Sequence, residues 1–427
     1  MKRFNLLLAF GLLLSVFSCR RPDEQSPTIT MLKPASMAEF NIYDYVPLSA
    51  KVSDDRRIDF IKVDLVDSDY KIVENMVSFF PNSSELLFDE VYHLDDLYLE
   101  SGNYYVKVST SDGVNTSVAY RQIKINGIAR ILKRIYVLDS ALNTVNVSTV
   151  NGAGTVFEYA VNTDYNGAVF SDYHQYIAIS GKTTGSLMFI DTVGNLIWSD
   201  PIQQNPPFSY FNHITYDYQR NLTFISYSTR IVRGVRPVNN VIFGMNLPGQ
   251  AQAVGSWSVG SNHIIMQFRD YTQPRQLALV NYGTATLQQI SSLNFNIKEA
   301  FEKSTNEYLL FGDEAGQGVI RNYFAVTNNM SIPANSPIGV INSVAKVSNT
   351  EYILGMTSGL YRYVTTSGSV TPLVTGVNFR DVVYNDLNDV VVCAVGSEIR
   401  SYSRFGSLLG TVNHNTTIVK VLLNFNK

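Results

Sequence analysis

From residue 27 onward the apolar residues fall into short runs separated by Gly, Asn, Asp, Ser and Pro, a pattern that predicts strands and turns to the end of the chain. In residues 27–127 the runs alternate. Ile61-Lys-Val-Asp-Leu-Val and Tyr105-Val-Lys-Val-Ser place apolar side chains on one face and polar ones on the other, as in a sheet with one buried and one wet face. Strands are predicted over 28–32, 46–52, 58–66, 71–79, 86–93, 103–110 and 117–125, which together predict a β-sandwich.

Beyond residue 130 the pattern repeats. Asn166-Gly-Ala-Val-Phe-Ser-Asp-Tyr-His-Gln-Tyr-Ile-Ala-Ile-Ser-Gly181 opens on an Asn and passes through an apolar run and a polar turn into a second apolar run. Similar openings begin at Asn212, Asn262, Asn296, Asn342, Asn378 and Asn415, at spacings of 46, 50, 34, 46, 36 and 37 residues. A period of that size built from short strands predicts one four-stranded blade per repeat, and so a β-propeller over residues 130–427. Residues 134–139, 144–149 and 155–160 supply three strands before the first internal Asn, and residues 415–423 supply one at the other terminus. Three and one complete a seventh blade. Pairing the last strand inside the first three closes the ring and removes its open edges. Residues 229–240 and 312–318 lengthen blades three and five, followed in the latter by 328–337; they are expected to project as insertions.

Composition agrees with an all-β chain: 427 residues, 45% hydrophobic, with 26 Tyr and 23 Phe. The net charge of −3 is spread without long runs of one sign, so neither a nucleic-acid stripe nor a polybasic lipid-binding segment is predicted. The amino terminus stands apart: Lys2 and Arg3 precede an apolar stretch over 6–14 and then Val16-Phe-Ser-Cys19, an export signal over residues 1–18 whose apolar run is too short to span a bilayer. Residues 19–26 read as a polar tether. Cys393, inside Val-Val-Val-Cys-Ala-Val, is expected to be a core thiol, and with Cys19 lipidated no intramolecular disulfide is possible.

Several stretches resemble known families. Val16-Phe-Ser-Cys19 resembles the lipobox of bacterial lipoproteins, with Phe17 in a slot where the family has a small residue, which implies lipidation of Cys19 and membrane attachment. Asp23 and Glu24 resemble the acidic surface-export signal of some Gram-negative lipoproteins. Ser101-Gly-Asn-Tyr-Tyr-Val-Lys-Val-Ser-Thr-Ser-Asp-Gly113 resembles the F strand and following turn of immunoglobulin-like modules, with Tyr104 or Tyr105 as the tyrosine corner. Asp191-Thr-Val-Gly-Asn-Leu-Ile-Trp198 resembles the blade motif of quinoprotein-type propellers; it occurs once, which implies kinship of fold and no quinone, and no cofactor is expected. As a whole the chain resembles bacterial envelope lipoproteins that join an immunoglobulin-like domain to a seven-bladed propeller of the quinoprotein or YVTN-like fold. The resemblance implies an outer-membrane location, surface-exposed or on the periplasmic face.

The candidate chemistry is sparse. No GxGxxG after a strand, P-loop, HExxH, CxxC or GxSxG is present, and no catalytic or metal-ligating set is assigned. Asp54, Asp55 and Asp112 suit turns that bond their own backbone better than a calcium site, since no dense acidic spacing accompanies them. The repeated Asn can form a polar ring at the channel mouth or, as the reading preferred here, bond nearby backbone groups where the chain crosses from an outer to an inner strand. The repeat is broken by His213, His263, Lys298, Arg380, Asp381 and His414, each at or beside one of these Asn residues. They are expected to share one funnel of neutral to positive potential that favours an anionic ligand. In the alternative they turn into blade interfaces, Lys298 pairing with Glu299 and Arg380 with Asp381. The expected function is a lipid-anchored envelope protein whose propeller face binds a glycan, a protein or a small polar ligand, with Phe208-Ser-Tyr-Phe211 and Arg269-Asp-Tyr271 as aromatic contacts. An enzyme, a lyase or hydrolase with its site in the funnel, is the alternative.

Overall fold

The computed structural model describes residues 25–202, 209–237, 240–248, 252–260, 262–270, 273–333 and 339–427. Cys19, Asp23, Glu24, Phe208 and Tyr271 lie outside the described residues. Every regular element among the described residues is a strand. The chain divides into two compact units, one ending at Arg130 and one spanning Ile131–Lys427.

The first unit holds β1 (Thr28–Lys33), β2 (Ala38–Asn41), β3 (Tyr45–Ser53), β4 (Phe60–Val66), β5 (Ile72–Phe79), β6 (Glu85–His93), β7 (Gly102–Ser111) and β8 (Thr116–Asn126). They form two sheets, β1-β3-β6 and β2-β8-β7-β4-β5. The strand that the apolar pattern misses is β2, four residues long and paired parallel to β8, too short to show a period. Alternate residues of β3 (Val46, Leu48, Ala50, Val52) share one core with Ile61, Val63 and Leu65 of β4 and Val106 and Val108 of β7. Tyr104 turns into that core and its hydroxyl donates to the Glu100 carbonyl at 3.1 Å. Tyr105, on the other face of β7, packs with Tyr70 and Tyr120 instead. The aspartates cap turns: Asp54 accepts from the Arg56 and Arg57 N–H groups at 2.8 and 2.9 Å, and Asp112 from those of Val114 and Asn115, both at 2.6 Å.

The second unit consists of seven four-stranded sheets. Their inner strands, from blade one to blade seven, are Ile418–Phe425, Gly167–Ser171, Phe211–Asp217, Gln252–Val259, Asn296–Ser304, Ile341–Lys346 and Asp381–Asn385. Each inner strand touches the next, and the last touches the first, so the ring is closed. Closure uses both ends of the unit, as the strand count predicts: Ile418–Phe425 lies antiparallel on Leu132–Ala141, with Val421 opposite Val137 and Leu422 opposite Tyr136.

The cores sit between blades. Phe224 and Val232 of blade three pack with Ile264, Met266 and Phe268 of blade four, and the series ends where Val392, Ala394 and Ile399 of blade seven meet Val137, Ile418 and Val421 of blade one. A strand covered on both faces needs no polar side, so Tyr176–Ser180, Leu222–Tyr227 and Glu351–Met356 are buried at every residue. Cys393 is buried in the same kind of strand, where loss of solvation pushes its thiol pKa up.

Among the described residues neither expected insertion projects, and residues 238, 239 and 334–337 of these stretches lie outside them. Ile231–Arg236 is the third strand of blade three, paired on both sides, despite its two arginines and its glycine. Gly234 is what admits it, because a Cβ there would come within 3.1 Å of both Phe224 and Phe243. Residues 312–318 form the hairpin between Glu307–Glu314 and Gln317–Phe324 of blade five. The turn at 191–195 does follow from its sequence. Asp191 accepts from the Val193 and Asn195 N–H groups at 3.0 and 2.8 Å, Gly194 takes a φ of +97°, and Trp198 packs on Phe189.

Candidate functional site at the start of the inner strands

Five of the inner strands begin with a break in register, at Phe211/His213, Ala253/Gly255, Ile297/Glu299, Ile341/Ser343 and Ile418/Lys420. Such a bulge adds one residue and re-aims the side chains on either side of it. Aligned on it, the seven strands open with Tyr165-Asn166-Gly167, Phe211-Asn212-His213, Ala253-Val254-Gly255, Ile297-Lys298-Glu299, Ile341-Asn342-Ser343, Phe379-Arg380-Asp381 and Ile418-Val419-Lys420. Outside blade two the first residue is apolar and buried.

The second position links blades. The side-chain amides of Asn166, Asn212 and Asn342 donate to the carbonyls of Phe211, Ala253 and Phe379, each at 2.9 Å and each the first residue of the next blade's triplet. Asn therefore serves the backbone here, between blades rather than within the crossing. Blade four has Val254 in that place, and there Gln267 makes the link by accepting from the Ile297 N–H at 2.7 Å. Lys298 and Arg380 hold the same position in blades five and seven, and both are exposed.

The third position carries the chemistry. Gly167 and Gly255 contribute no side chain, because a Cβ would come to 2.8 Å from Ile214 and 2.2 Å from the Trp257 ring. The others are His213, Glu299, Ser343, Asp381 and Lys420. Asp381 accepts from the Lys420 ammonium and the Ser343 hydroxyl on Oδ1 and from the Val421 N–H on Oδ2, all at 2.9 Å. Its side chain is 4% exposed and that of Lys420 28%, so the pair is sunk in protein and wetted from the lysine side. Burial works against the Lys420 charge, yet Asp381 and then Tyr165 and Glu299 hold its pKa above the ordinary lysine value.

The Glu299 carboxyl has neither a hydrogen bond nor an ion pair among the described residues. Loss of solvation pushes its carboxyl up to about 7, with Lys420 pulling the other way and Asp381 adding to the rise. His213 is pushed down to about 4, first by loss of solvation and then by Lys420 and Lys298. Its Nδ1 accepts from the Ser256 N–H at 3.4 Å and its ring leans on Trp257, with centroids 4.9 Å apart. Groups from blades one, three, five and seven thus lie within electrostatic reach of one another, and the inner strands that carry them ring a single axis.

Of the six residues singled out by broken symmetry, His213, Lys298, Arg380 and Asp381 occupy this layer and its rim. The Lys298 ammonium stands 3.8 Å from the Asp313 carboxylate. Arg380 lines a cleft of about 460 Å³ with Asn378, Ser397, Glu398, Arg400 and Thr417. His263 is elsewhere, at the opposite end of its blade's inner strand, where Nδ1 meets the Tyr308 hydroxyl at 2.6 Å. His414 is buried in the seam that closes the ring, with Nε2 2.9 Å from Asp139 Oδ2 and Nδ1 2.7 Å from Thr155 Oγ1. Both fall out because Asn262 sits in a hairpin turn and Asn415 in the loop ahead of the last strand, so neither shares the phase of the bulge. The pairs Lys298–Glu299 and Arg380–Asp381 do not form either: Lys298 faces Asp313 and Asp381 is taken by Lys420. Glu299, Ser343 and Lys420 are missed by counting from Asn, and the triplet of apolar, variable and polar residues is the signal that finds them. Tyr210 and Phe211 are no exposed aromatic loop; they pack edge-to-face on each other and against Tyr227 in the core between blades two and three.

No family model matches the chain, and no curated protein matches it. In structure it is similar to a quinonprotein alcohol dehydrogenase-like protein from Bacteroides thetaiotaomicron VPI-5482, at 12% identity and a TM-score of 0.47 over 94% of this chain and 99% of that one. It is also similar to a functionally unknown protein from Desulfotomaculum acetoxidans DSM 771, at 11% identity and a TM-score of 0.48 over 68% and 98%. A chain of a nidogen/laminin complex follows at 9% identity and a TM-score of 0.44 over 69% and 99%. Independently of these likenesses, the order of strands in the sheets and the closed ring of inner strands make Ile131–Lys427 a β-propeller.

Proposed function

We propose that this chain is a lipid-anchored binding protein of the cell envelope whose propeller receives, at the start of its inner strands, a polar ligand bearing an acid group. The observation that carries the reading is Arg380, an exposed guanidinium on the rim that no ion pair neutralises among the described residues. Lys298 stands on the same rim beside Asp313, and Lys420 one residue deeper is tied to Asp381; Glu398 in the Arg380 cleft pairs with Arg400, and Glu299 is only partly ionised near neutral pH. In a chain of net charge −3 that is a local cationic mouth, and it attracts anions. The ligand is a free small molecule or the acidic end of a glycan or protein.

The first unit is proposed as an immunoglobulin-like spacer between Cys19 and the propeller. The sheet order β1-β3-β6 over β2-β8-β7-β4-β5 and the Tyr104–Glu100 bond support it. Attachment through Cys19 is tested by fractionating cells that express Cys19→Ala; a variant as membrane-bound as the wild type contradicts it.

The binding reading is tested by titrating the protein with a simple carboxylate such as butyrate, following the heat of binding. Lys298→Ala combined with Arg380→Ala is expected to weaken binding at least tenfold and His263→Ala to leave it unchanged. Undiminished binding by the double variant overturns the assignment. One observation favours an enzyme instead: a carboxyl poised near 7 beside a lysine suits general acid–base work. Turnover of a uronic-acid glycan, lost in Glu299→Gln, would establish it.

A further inference from the structure

The cleft that Arg380 lines measures about 460 Å³, far more than one acid group fills. Clefts of about 300–1,000 Å³ take up a whole small molecule. Separate stretches of chain meet around it: Asn378 and Arg380 lie ahead of Asp381–Asn385, Ser397 and Glu398 follow the turn after Val390–Val395, Arg400 is on Glu398–Ser403, and Thr417 lies just ahead of Ile418–Phe425. Among the described residues Val395 gives this lining its one apolar side chain, so a hydrocarbon tail finds little to pack on.

The bonds already made in the cleft leave a definite remainder. Arg400 is turned onto Glu398, with Nε and a terminal nitrogen both 2.7 Å from Oε2. Asn378 accepts from the Asn342 amide at 3.0 Å through its side-chain carbonyl. What has no partner among the described residues is the Arg380 guanidinium, the Asn378 NH2 group, Glu398 Oε1 and the hydroxyls of Ser397 and Thr417. The cleft therefore offers one free cation together with a carboxylate oxygen and two hydroxyls.

A ligand that is only an anion, such as a short carboxylate or inorganic phosphate, accepts from Arg380 but has no proton to give Glu398 Oε1. A neutral sugar donates to Glu398 and leaves Arg380 without its counter-charge. A hydroxyl group donates and accepts, so it suits Oε1 and the two protein hydroxyls alike. We infer that the cleft takes a sugar acid, free or at the end of a glycan, with its carboxylate on Arg380 and its hydroxyls toward Glu398, Ser397 and Thr417. This deepens the acid-binding reading above and rests on it. It adds Glu398, Ser397 and Thr417 as binding residues and narrows the ligand to uronic acids, aldonic acids and similar polyhydroxy acids.

The test is calorimetric titration of the full chain at pH 7 with glucuronate, galacturonate, gluconate, glucose, galactose, butyrate and inorganic phosphate. At least one sugar acid is expected to bind tenfold or more tighter than butyrate, phosphate or either neutral sugar. Ser397→Ala combined with Thr417→Ala is expected to bring the preference over butyrate below threefold, and Arg380→Ala to weaken sugar acid and butyrate together. Glu398→Gln removes the carboxylate and frees Arg400, so it is expected to tighten butyrate and loosen the sugar acid. Digalacturonate separates the two sources: it binds as well as the monomer if the site reads a glycan end, and more weakly if it reads the free sugar. Butyrate or phosphate binding as tightly as the best sugar acid, or a preference that survives the double variant, overturns the sugar acid while the acid-binding mouth stands. If no acid binds, or if glucose and galactose bind as tightly as the acids, both readings fall. The ranking of ligands is measured on the wild-type chain, so it decides the matter even where a variant folds poorly.

Discussion

In each blade the second strand and the inner strand beside it are neighbours in one sheet, yet they are made differently. Tyr176–Ser180, Leu222–Tyr227 and Glu351–Met356 are buried throughout, and Ile177, Phe224 and Ile353 serve the same apolar packing in their blades. The inner strands share only their opening triplet, and its third residue is Gly, His, Gly, Glu, Ser, Asp or Lys according to the blade. The difference follows from what each strand faces. A second strand has a blade core on either side, where dense apolar packing is the stable solution. An inner strand has one edge on the axis, where space and water permit any side chain that finds a partner. Symmetry builds the scaffold, and its loss along the axis leaves room for function.

The largest disturbance of this comparison comes from removing an inner strand altogether. Truncation after Asn413 deletes Ile418, Val421, Leu422 and Phe425, all buried, and at roughly 1.5–3 kcal/mol per side chain the loss is about 6–12 kcal/mol, as large as the stability of a whole domain. The truncated chain is expected to lose its cooperative melt or aggregate through the exposed edge, and a melt like that of the intact protein would refute ring closure.

Within the layer, Lys420→Met leaves Asp381 buried and uncompensated, at a cost of about 3–5 kcal/mol. The double variant Lys420→Met with Asp381→Leu is expected to recover most of it. Denaturant unfolding of both variants checks this, and equal losses would show that the pair is not coupled.

Glu299→Gln sharpens the contrast through pH. The folded carboxyl titrates near 7 against an ordinary value of 4.5, so between those values the folded state holds the extra proton. Its contribution to stability is full below about 4.5 and is lost as pH rises through 7. The glutamine variant escapes that loss and is expected to be about 1–2 kcal/mol more stable than wild type at pH 8 and equal to it at pH 4.5. His213 changes with the opposite sign, its folded value lying below the ordinary 6.5, but it is present in both proteins and cancels. A gain that does not depend on pH would contradict the shift.

The smallest effect belongs to the inter-blade amides. Asn342→Ala removes one donor to the Phe379 carbonyl and is expected to cost about 0.5–1.5 kcal/mol, whereas Asn262→Ala, in a hairpin turn, should cost less. Equal costs would mean that position two carries no special bond.

Much of this scaffold was legible in the residues because it is repetitive. The apolar second runs, the turn at 191–195 and the strand count that sends Ile418–Phe425 to the first blade all follow from period and turn chemistry. What misled was the choice of Asn as the phase of the repeat. Asn166, Asn212 and Asn342 do hold a common place, but Asn262 and Asn415 are ordinary turn and loop residues, and counting from them sent His263 and His414 into a funnel they do not reach. Lys420 could not be found that way, since no Asn precedes it within its triplet. The strand at 231–236 was hidden for another reason: a glycine that looks like a loop signal is there because the Phe224 ring and the Phe243 Cβ need its space.

The central claim is that third-position residues from distant blades meet in one layer. Its most direct test is the titration of Glu299, followed by NMR with carbon-labelled glutamate, in the wild type and in Lys420→Met. The two residues are separated by more than a hundred positions in sequence and belong to blades five and one. The account predicts titration near 7 in the wild type and a clear upward move in the variant, because removing Lys420 takes away the charge that steadies the carboxylate and leaves Asp381 to oppose it. An ordinary value near 4.5 in both proteins would contradict the layer and, with it, the site.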